Sequence, residues 1–499
     1  MPGYVGSPHD SLSFMSAKPF DLTASAHTEM LHENFRPDPT VPTNTQLGQI
    51  VAAGPTVNAG AKDLRDLVWS SIDNDTSRDL DQIEVAERVP GGIAVQVAIA
   101  DVSASIAKNT PLDHFAAYQT QTVYTAVHNF PMLPFALSTD LTSLNENQDR
   151  SAVVVQFTVD ADGDLQQTAI VQATVRNHAQ LAYSKVGPWL EKTAQPDPKV
   201  AASAVLQAQL QLQDEAARLI HQQRINMGAL EFNRIEADPI VVDGVVQAIH
   251  TAHHNRATDL IEDFMIAANE VMARTLKQAK RSCIRRVVKS PERWARIVDL
   301  VAEHGTELPP QPDSGALNVF LQKQRAADPV RYPDLSLAII KLMGPGEYVL
   351  SRGDDDDPQG HFGLAAHDYT HSTAPNRRFA DLVTQRVVKA MLHNQPPPYT
   401  DDELAAIAQH CTQMESAARK VERTMQKRIA AVALAGSIGN IFRGVITGAG
   451  DKGTFVRVFD PPVEGMVVRG AKGLDVGDKV NVTLLHTDPQ RAFIDFGTI

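Results

Sequence analysis

The chain has 499 residues, 43% of them hydrophobic, and carries a formal net charge of −13 at neutral pH. That length buries a large core and divides into more than one domain, and the acidic balance excludes a generally basic nucleic-acid coat while leaving room for a local basic channel. Cys283 and Cys411 form no CxxC pattern, so a disulfide framework, a disulfide-linked partner and a zinc finger are excluded and a reducing, cytoplasmic setting is expected. No apolar stretch reaches transmembrane length, the N-terminus lacks the basic and apolar regions of a leader, and no internal repeat is present, so no membrane partner is expected.

Residues 1–60 are rich in Pro, Ser, Thr and His without a sustained period, which reads as an irregular arm. The stretch Ile72 to Gln82, IDNDTSRDLDQ, then packs Asp73, Asp75, Asp79 and Asp81 into nine positions. Carboxylates this close raise one another's pKa unless a cation or basic group sits among them. LVWSSI precedes the stretch and IEVAERVPGGIAVQVAIADVS follows it, both rich in β-branched residues, with Pro90, Gly91 and Gly92 placed to turn a hairpin. The carboxylates therefore sit on a loop between strands. Three readings compete for it. Asp73, Asp75, Ser77, Asp79, Asp81 and Glu84 fall at the ligand spacings of a calcium loop, but Arg78 replaces the required glycine and the flanks are not helical. A solvated acidic turn is the second reading, and a magnesium site for phosphoryl chemistry the third.

From about Asp63 to Asp164 the chain alternates short β-type runs with turns, and VVVQFTVDADGDLQQTAIVQATV reads as a hairpin turned at Asp162, Gly163 and Asp164. Asp101 fits a buried carboxylate bonded to backbone amides at least as well as a site residue. Apolar residues recur at three and four over Val200–Arg224 and Ala257–Lys280, predicting amphipathic helices, with Asn269 and Glu270 of the second read as orienting or packing residues. The run Asp354 to Asp357 reads as a solvated acidic tip. His361, His367 and His371 fit no common ligand spacing and are read as packing groups or contacts to a bound substrate. Pro375 sets a turn ahead of a helix expected near Arg377, where backbone amides and a guanidinium would cradle phosphate. After Pro396–Pro398, residues 401–436 form one long helix whose Arg419, Lys420, Arg423, Lys427 and Arg428 line a channel for a polyanion or a solvated face. The final module, 437–499, shows five short strands with glycine punctuation.

The colinear blocks SIDNDTSRDLDQ, VAIADVS, TVY with PMLPFALSTDLTSLNENQDR, GALEFNR, LIEDFMIAANEVMA and HFGLAAHDYTHSTAPNRRFADLVTQR resemble the RNase II family, the RNB domain of 3′-to-5′ exoribonucleases, over roughly residues 60 to 435. The last module resembles the OB-fold barrel of ribosomal-protein-type RNA-binding domains. The resemblance implies an α+β fold: an RNB domain over 61–436, its mixed sheet surrounded by helices, and the barrel behind it. It further implies Mg²⁺-dependent hydrolysis of single-stranded RNA to nucleoside 5′-monophosphates. Asp73, Asp79 and Asp81 would hold one or two Mg²⁺, with Gln82 at the fourth ligand position, and Asp81 and Arg377 would be the catalytic residues. Tyr183 and Phe232 would stack on bases, with Tyr124 a weaker candidate; Arg378, Phe442, Phe455 and Arg457 would contact RNA, although Arg378 fits a surface salt bridge and Phe442 fits core. Family members usually carry cold-shock barrels ahead of this domain, for which the arm leaves no room.

Two residues depart from the family pattern. D-x-D-D becomes Asp79, Leu80, Asp81, Gln82, and the usual Ile becomes Asn376. A neutral amide donates less charge to a hard cation than a carboxylate, an effect that Asp75 offsets if the loop folds it inward. An RNA-binding protein with a crippled centre and a hydrolase of a smaller substrate thus stay open, as does the oligomeric state.

Overall fold

The computed structural model describes residues 20–499 apart from 59, 234–236, 243, 252–253, 330, 354–359 and 451–452, so the acidic run Asp354–Asp357 lies outside the described residues. The described part of the arm is not irregular: it holds two helices, α1 (Leu22–His32) and α2 (Val41–Ala53). Asp21 caps α1 by accepting from the Ala24 N–H at 2.9 Å. Leu22, Ala26 and Met30, spaced by four, form its buried stripe. The stripe was hard to read because Ala26 carries little hydrophobic signal and the helix is only 11 residues long.

A six-stranded mixed sheet follows, built from β1 (Lys62–Asp63), β2 (Trp69–Asp73), β3 (Gln82–Val89), β4 (Gly92–Ala100), β7 (Asp149–Val159) and β8 (Leu165–Ala182), in the order β1-β8-β2-β3-β4-β7. Between β4 and β7 lie α3 (Pro111–Gln119) and the small hairpin β5 (Val123–Tyr124) and β6 (Asn129–Phe130). The 18-residue β8 pairs antiparallel with β7 through its first part and parallel with β2 beyond Asn177, so the sheet wraps back on itself. Gly91, at φ 92°, makes the β3–β4 turn that a side chain would strain. The β2–β3 connection is the acidic loop, and the β2–β8 register sets Asp73 beside Ala182.

After β8 come α4 (Tyr183–Leu190), α5 (Pro198–Ala201), α6 (Ala204–Asn226), the hairpin β9 (Ala237–Val242) and β10 (Val245–Thr251), and α7 (Arg256–Gln278). Helices α4, α6 and α7 pack on the sheet, and Phe264 of α7 meets Phe157 of β7 edge-on at 6.4 Å in the main core. Full burial of such a ring contributes about 2–3 kcal/mol. Two strands, β11 (Cys283–Val287) and β12 (Glu347–Ser351), bracket a helical lobe of α8 (Trp294–Ala302), α9 (Ser314–Ala327) and α10 (Tyr332–Met343) that has its own apolar cluster. Then follow α11 (Phe379–Leu392) and the 34-residue α12 (Asp401–Leu434), opened by a Thr400–Glu403 capping box.

The C-terminal strands β13 (Ile441–Gly450), β14 (Gly453–Val458), β15 (Glu464–Arg469), β16 (Lys479–Asp488) and β17 (Phe493–Thr498) close a barrel in the order β13-β14-β15-β17-β16 around Ile446, Val456, Leu484 and Phe496. The expected α+β class, with a helix-wrapped mixed sheet ahead of a five-stranded barrel, is what the chain adopts. Among the described residues, no helix is long and apolar enough to cross a membrane.

Candidate active site

Asp81 is the structural hinge of the acidic loop. Its carboxylate is 1% exposed, accepting the Asn376 N–H at 3.1 Å on Oδ1 and the Arg377 Nε–H at 3.2 Å on Oδ2. Burial pushes its pKa up to about 7, against the attraction of Arg377. The loop is pinned from the side by the TSLN block: Leu80 N–H donates to Ser143 Oγ and Leu144 N–H to the Leu80 carbonyl, both at 2.9 Å.

The turn that presents Arg377 is fixed as tightly. Ala374 N–H donates to Asp381 Oδ1 at 2.8 Å, Thr142 Oγ donates to Asn376 Oδ1 at 2.6 Å, and Ser372 donates N–H and Oγ–H to Asn269 Oδ1, each at 2.8 Å. Asn269 is thus an anchor for this turn, in line with the orienting role read for it, while Glu270 pairs with Arg274. The helix starts at Phe379, near Arg377 as expected, but the Phe379 N–H is taken by the Thr120 carbonyl at 2.7 Å. The expected cradle at the helix N-terminus is therefore not what faces the aspartates; the Arg377 fork is. Only its Nε is committed to Asp81, and its side chain is 45% exposed.

Asp73 accepts from Asn74 N–H at 2.7 Å and Ser77 Oγ–H at 2.9 Å, and burial raises its pKa. Asp79 accepts from the Tyr124 hydroxyl at 3.0 Å. Asp75 turns outward to accept from Ser184 Oγ at 2.8 Å, so the loop does not fold it inward. The carboxylates of Asp73, Asp79 and Asp81 do not crowd around one point: among the described residues only Glu29, His32 and Glu33 bring three ligand atoms within 4.8 Å of one another, and Arg428 and Lys420 already pair with those two glutamates. The donors are hard oxygens throughout, as magnesium requires.

The fourth family position, Gln82, is 7% exposed at the head of β3. Glu84, on the same face of that strand, is fully buried with neither carboxylate oxygen hydrogen-bonded, and its pKa is held well above the usual carboxylate range by burial and by the nearby Asp73. It entered the sequence reading only as position twelve of a calcium loop. The signal was available: a glutamate between Ile83 and Val85 in the buried half of the strand, on the face that Gln82 shares.

Tyr183 opens α4 directly after the β8 residue paired with Asp73, and burial together with Asp73 and Glu84 raises its pKa. Phe232 lies apart from these groups, half-buried against the apolar cluster of the α8–α10 lobe. Arg378 is neither a free RNA contact nor a surface pair: its Nη2 is 2.7 Å from the fully buried Asp381. The ion pair locks the turn. His361 caps a short helix through Nδ1, and His371 Nδ1 meets the Tyr348 hydroxyl at 2.8 Å, so both serve packing. Asp101 accepts from Ala104 N–H and Lys389 and is structural.

In the barrel, Arg457 is 9% exposed and ion-paired to Asp334 of α10, tying the barrel to the helical lobe instead of facing solvent. Phe442 is partly buried and packs edge-on against the core ring Phe496 at 6.1 Å. Phe455 lines an open groove of about 640 Å³ between the barrel and α12, and Arg457 lines a second one, of about 460 Å³, between the barrel, α12 and α10. Of the α12 cations, Arg419 pairs with Glu415, Lys420 with Glu33 and Arg428 with Glu29, while Arg423 and Lys427 face that groove. Two of these five cations are thus neutralised by the arm, a contact between segments nearly 400 residues apart that no local pattern announces.

Residues 61–394 match the RNB domain and residues 440–498 match the RNase II-type exonuclease C-terminal S1 domain. Ribonuclease R of Escherichia coli is 31% identical over 428 residues, 82% of this chain and 51% of that protein, and Ribonuclease R of Mycoplasma pneumoniae is 30% identical over 81% of this chain and 56% of that one. The chain therefore spans just over half the length of these curated relatives. The fold superposes on Mycoplasma genitalium RNase R in complex with ribose methylated single-stranded RNA with a TM-score of 0.85 at 24% identity, covering 96% of this chain and 78% of that one. With its sheet, acidic loop and barrel all matched, the chain belongs to the RNB-domain family and ends in an S1 domain of the RNase II type.

Proposed function

We propose that this protein is a Mg²⁺-dependent exoribonuclease that removes nucleoside 5′-monophosphates from the 3′ end of single-stranded RNA. The observation that carries the reading is the unit formed by Asp81, the Asn376 N–H and Arg377, which brings a buried carboxylate and a guanidinium fork together from segments 296 positions apart. Asp73, Asp79 and Asp81 would hold the cations, with Gln82 at the rim. Bound divalent ions supply water activation and charge neutralisation at the leaving oxygen. Arg377, held by Asp81 through Nε alone, keeps its two Nη groups for the non-bridging oxygens of the scissile phosphate, where they offset charge that develops in the transition state. Tyr183 offers a ring to the 3′-terminal base beside the cation end of the sheet, and Phe455 with Arg423 and Lys427 offers a stacking and phosphate-binding track farther upstream. Phe232 would reach a base from the edge of the helical lobe.

The test is 5′-labelled single-stranded RNA incubated with the protein in Mg²⁺ or in EDTA. The expected result is progressive shortening with Mg²⁺, mononucleotide product and no reaction in EDTA. Binding without shortening would favour the RNA-binding reading that Gln82 keeps open. Weak, salt-insensitive binding would favour a smaller substrate.

A further inference from the structure

The small hairpin of β5 and β6 touches both halves of the site. At its foot the Thr122 N–H donates to the Arg377 carbonyl at 3.0 Å, within the turn that presents the guanidinium. Two residues on, the Tyr124 hydroxyl donates to Asp79 Oδ2 at 3.0 Å, within the acidic loop. A phenol keeps its proton at neutral pH, so the tyrosine is the donor of that bond and the carboxylate its acceptor. Among the described residues it is the one hydrogen bond to the Asp79 carboxylate, and it leaves Oδ1 open. A pair of two-residue strands has little stability of its own in water. This pair, Val123 with Phe130 and Tyr124 with Asn129, is held by what covers it. Val123 and Phe130 are buried in one apolar cluster with Leu22 and Met30 of α1 and Val421 and Met425 of α12. The His27 ring of α1 lies 6.4 Å from that of Phe130, and Glu422 of α12 accepts the Tyr124 N–H at 3.3 Å.

Resting on the cation-dependent reading above, we infer that Tyr124 is a positioning residue that sets Asp79 through its hydroxyl, and that the arm helix α1 braces the hairpin that carries it. The hydroxyl takes up one carboxylate oxygen and thereby fixes the direction of the other, so Asp79 meets a cation already oriented. Hydrogen-bond partners of this kind hold metal ligands in place and sharpen their affinity. Because the foot of the same hairpin is tied to the Arg377 carbonyl, it also sets the spacing between the acidic loop and the guanidinium. The arm enters the reaction by the same route, since α1 supplies part of the cluster that buries Val123 and Phe130. The Tyr124 ring itself is exposed and stays open to a base, so stacking and positioning belong to different atoms of one side chain.

The experiment compares the full-length wild type with Tyr124→Phe, Tyr124→Ala, Met30→Ala and the double variant Tyr124→Phe with Met30→Ala. Mg²⁺ affinity is measured by calorimetry on the RNA-free protein, and kcat and KM for single-stranded RNA at a fixed, sub-saturating Mg²⁺ concentration. Tyr124→Phe keeps the ring and loses only the hydroxyl. It is expected to weaken Mg²⁺ binding about tenfold, as loss of a ligand-supporting group does, and to lower kcat by a similar factor with KM within about twofold. Tyr124→Ala is expected to add a rise in KM, because the ring is lost as well. Met30→Ala is expected to weaken Mg²⁺ binding in the wild-type background and to add nothing to Tyr124→Phe, since the hydroxyl through which it acts is already gone. Where Met30→Ala fails to fold, Leu22→Val, a smaller deletion in the same cluster, takes its place. Wild-type Mg²⁺ affinity and kcat in Tyr124→Phe overturn the inference alone and leave Tyr124 as a stacking ring. An equal effect of Met30→Ala in both backgrounds, or a drop in Tm with unchanged Mg²⁺ affinity, overturns the bracing role of α1. Absence of Mg²⁺ binding by the wild type overturns the inference together with the proposed function.

Discussion

The two faces of the chain at the head of strand β3 hold carboxylates of opposite kind. On one, Asp81 is buried and finds a protein donor for each oxygen; on the other, Glu84 is buried and finds none. The difference separates two ways in which a fold carries charge. A carboxylate that the chain itself neutralises is part of the architecture as well as the chemistry, so its loss is felt in geometry and stability. One left without partners costs stability, because burial strips its water without supplying a donor. The same division sorts the cationic groups: Arg378 and Arg457 are committed to Asp381 and Asp334, while the Arg377 Nη groups, Arg423 and Lys427 face open space.

The largest effect is expected where the chain's own partner and the reaction meet. Asp81→Asn removes the anion from between Arg377 and the cations, and turnover should fall by about 10³-fold or more. RNA affinity should stay within about threefold because cations and aromatics supply it. Single-turnover nucleotide release and filter binding check both halves, and an Asp81→Asn enzyme with near-normal turnover would remove Asp81 from the site. Arg377→Lys comes next. It keeps the charge but loses the fork, so Asp81 and the phosphate can no longer be held together. The expectation is about a 10²-fold loss in kcat with little change in KM, read from steady-state kinetics.

Much of this division was legible in the sequence, and the illegible parts share a cause. The acidic loop, its flanking strands, the α6 and α7 stripes and the barrel are local patterns, and the order of the blocks placed Asp81 and Arg377 in one site although they lie 296 positions apart. Whether an arginine is free or spoken for is decided by a residue elsewhere in the chain. Arg457, on a barrel strand, reads as a phosphate contact until Asp334 arrives from α10; Lys420 and Arg428 read as an RNA-facing stripe until α1 and its C-cap cover them with Glu29 and Glu33. The α8–α10 lobe went unread because its three helices are short and bury their apolar residues chiefly against one another.

Arg457 gives the sharpest test of that lesson. Its side chain is 11% exposed and that of Asp334 15%, so Arg457→Met leaves a mostly buried carboxylate without its partner, at a cost of about 2–3 kcal/mol. Urea unfolding should register the loss, and Asp334→Leu added to it should recover most of it. RNA affinity at fixed salt should stay within about twofold. A clear drop in RNA affinity without loss of stability would return Arg457 to the RNA-binding face.

The smallest expected effect concerns His221, a cation the chain satisfies twice. Its Nδ1 lies 3.3 Å from Asp263 and its Nε2 3.1 Å from Glu231, the residue just ahead of Phe232, so the ring staples α6 to α7 and to the segment that carries Phe232. Hydrogen bonds to Asp263 and then Glu231 raise its pKa from 6.5 to about 9. A histidine whose folded pKa is raised binds its proton more tightly in the native state, so this contribution is complete below pH 6.5 and is lost as pH climbs to 9 and beyond. With the side chain 31% exposed, solvent screening reduces the contribution to about 1 kcal/mol. Melting the wild type and His221→Gln across roughly pH 6 to 9.5 should show the wild-type advantage shrinking through that window. Because Arg224 and Arg325 remain beside Asp263 and Glu231 in the variant, the two carboxylates keep a counter-charge and the comparison isolates the imidazolium. A constant difference between the two proteins over that range would mean that His221 stays neutral in the fold and acts by packing.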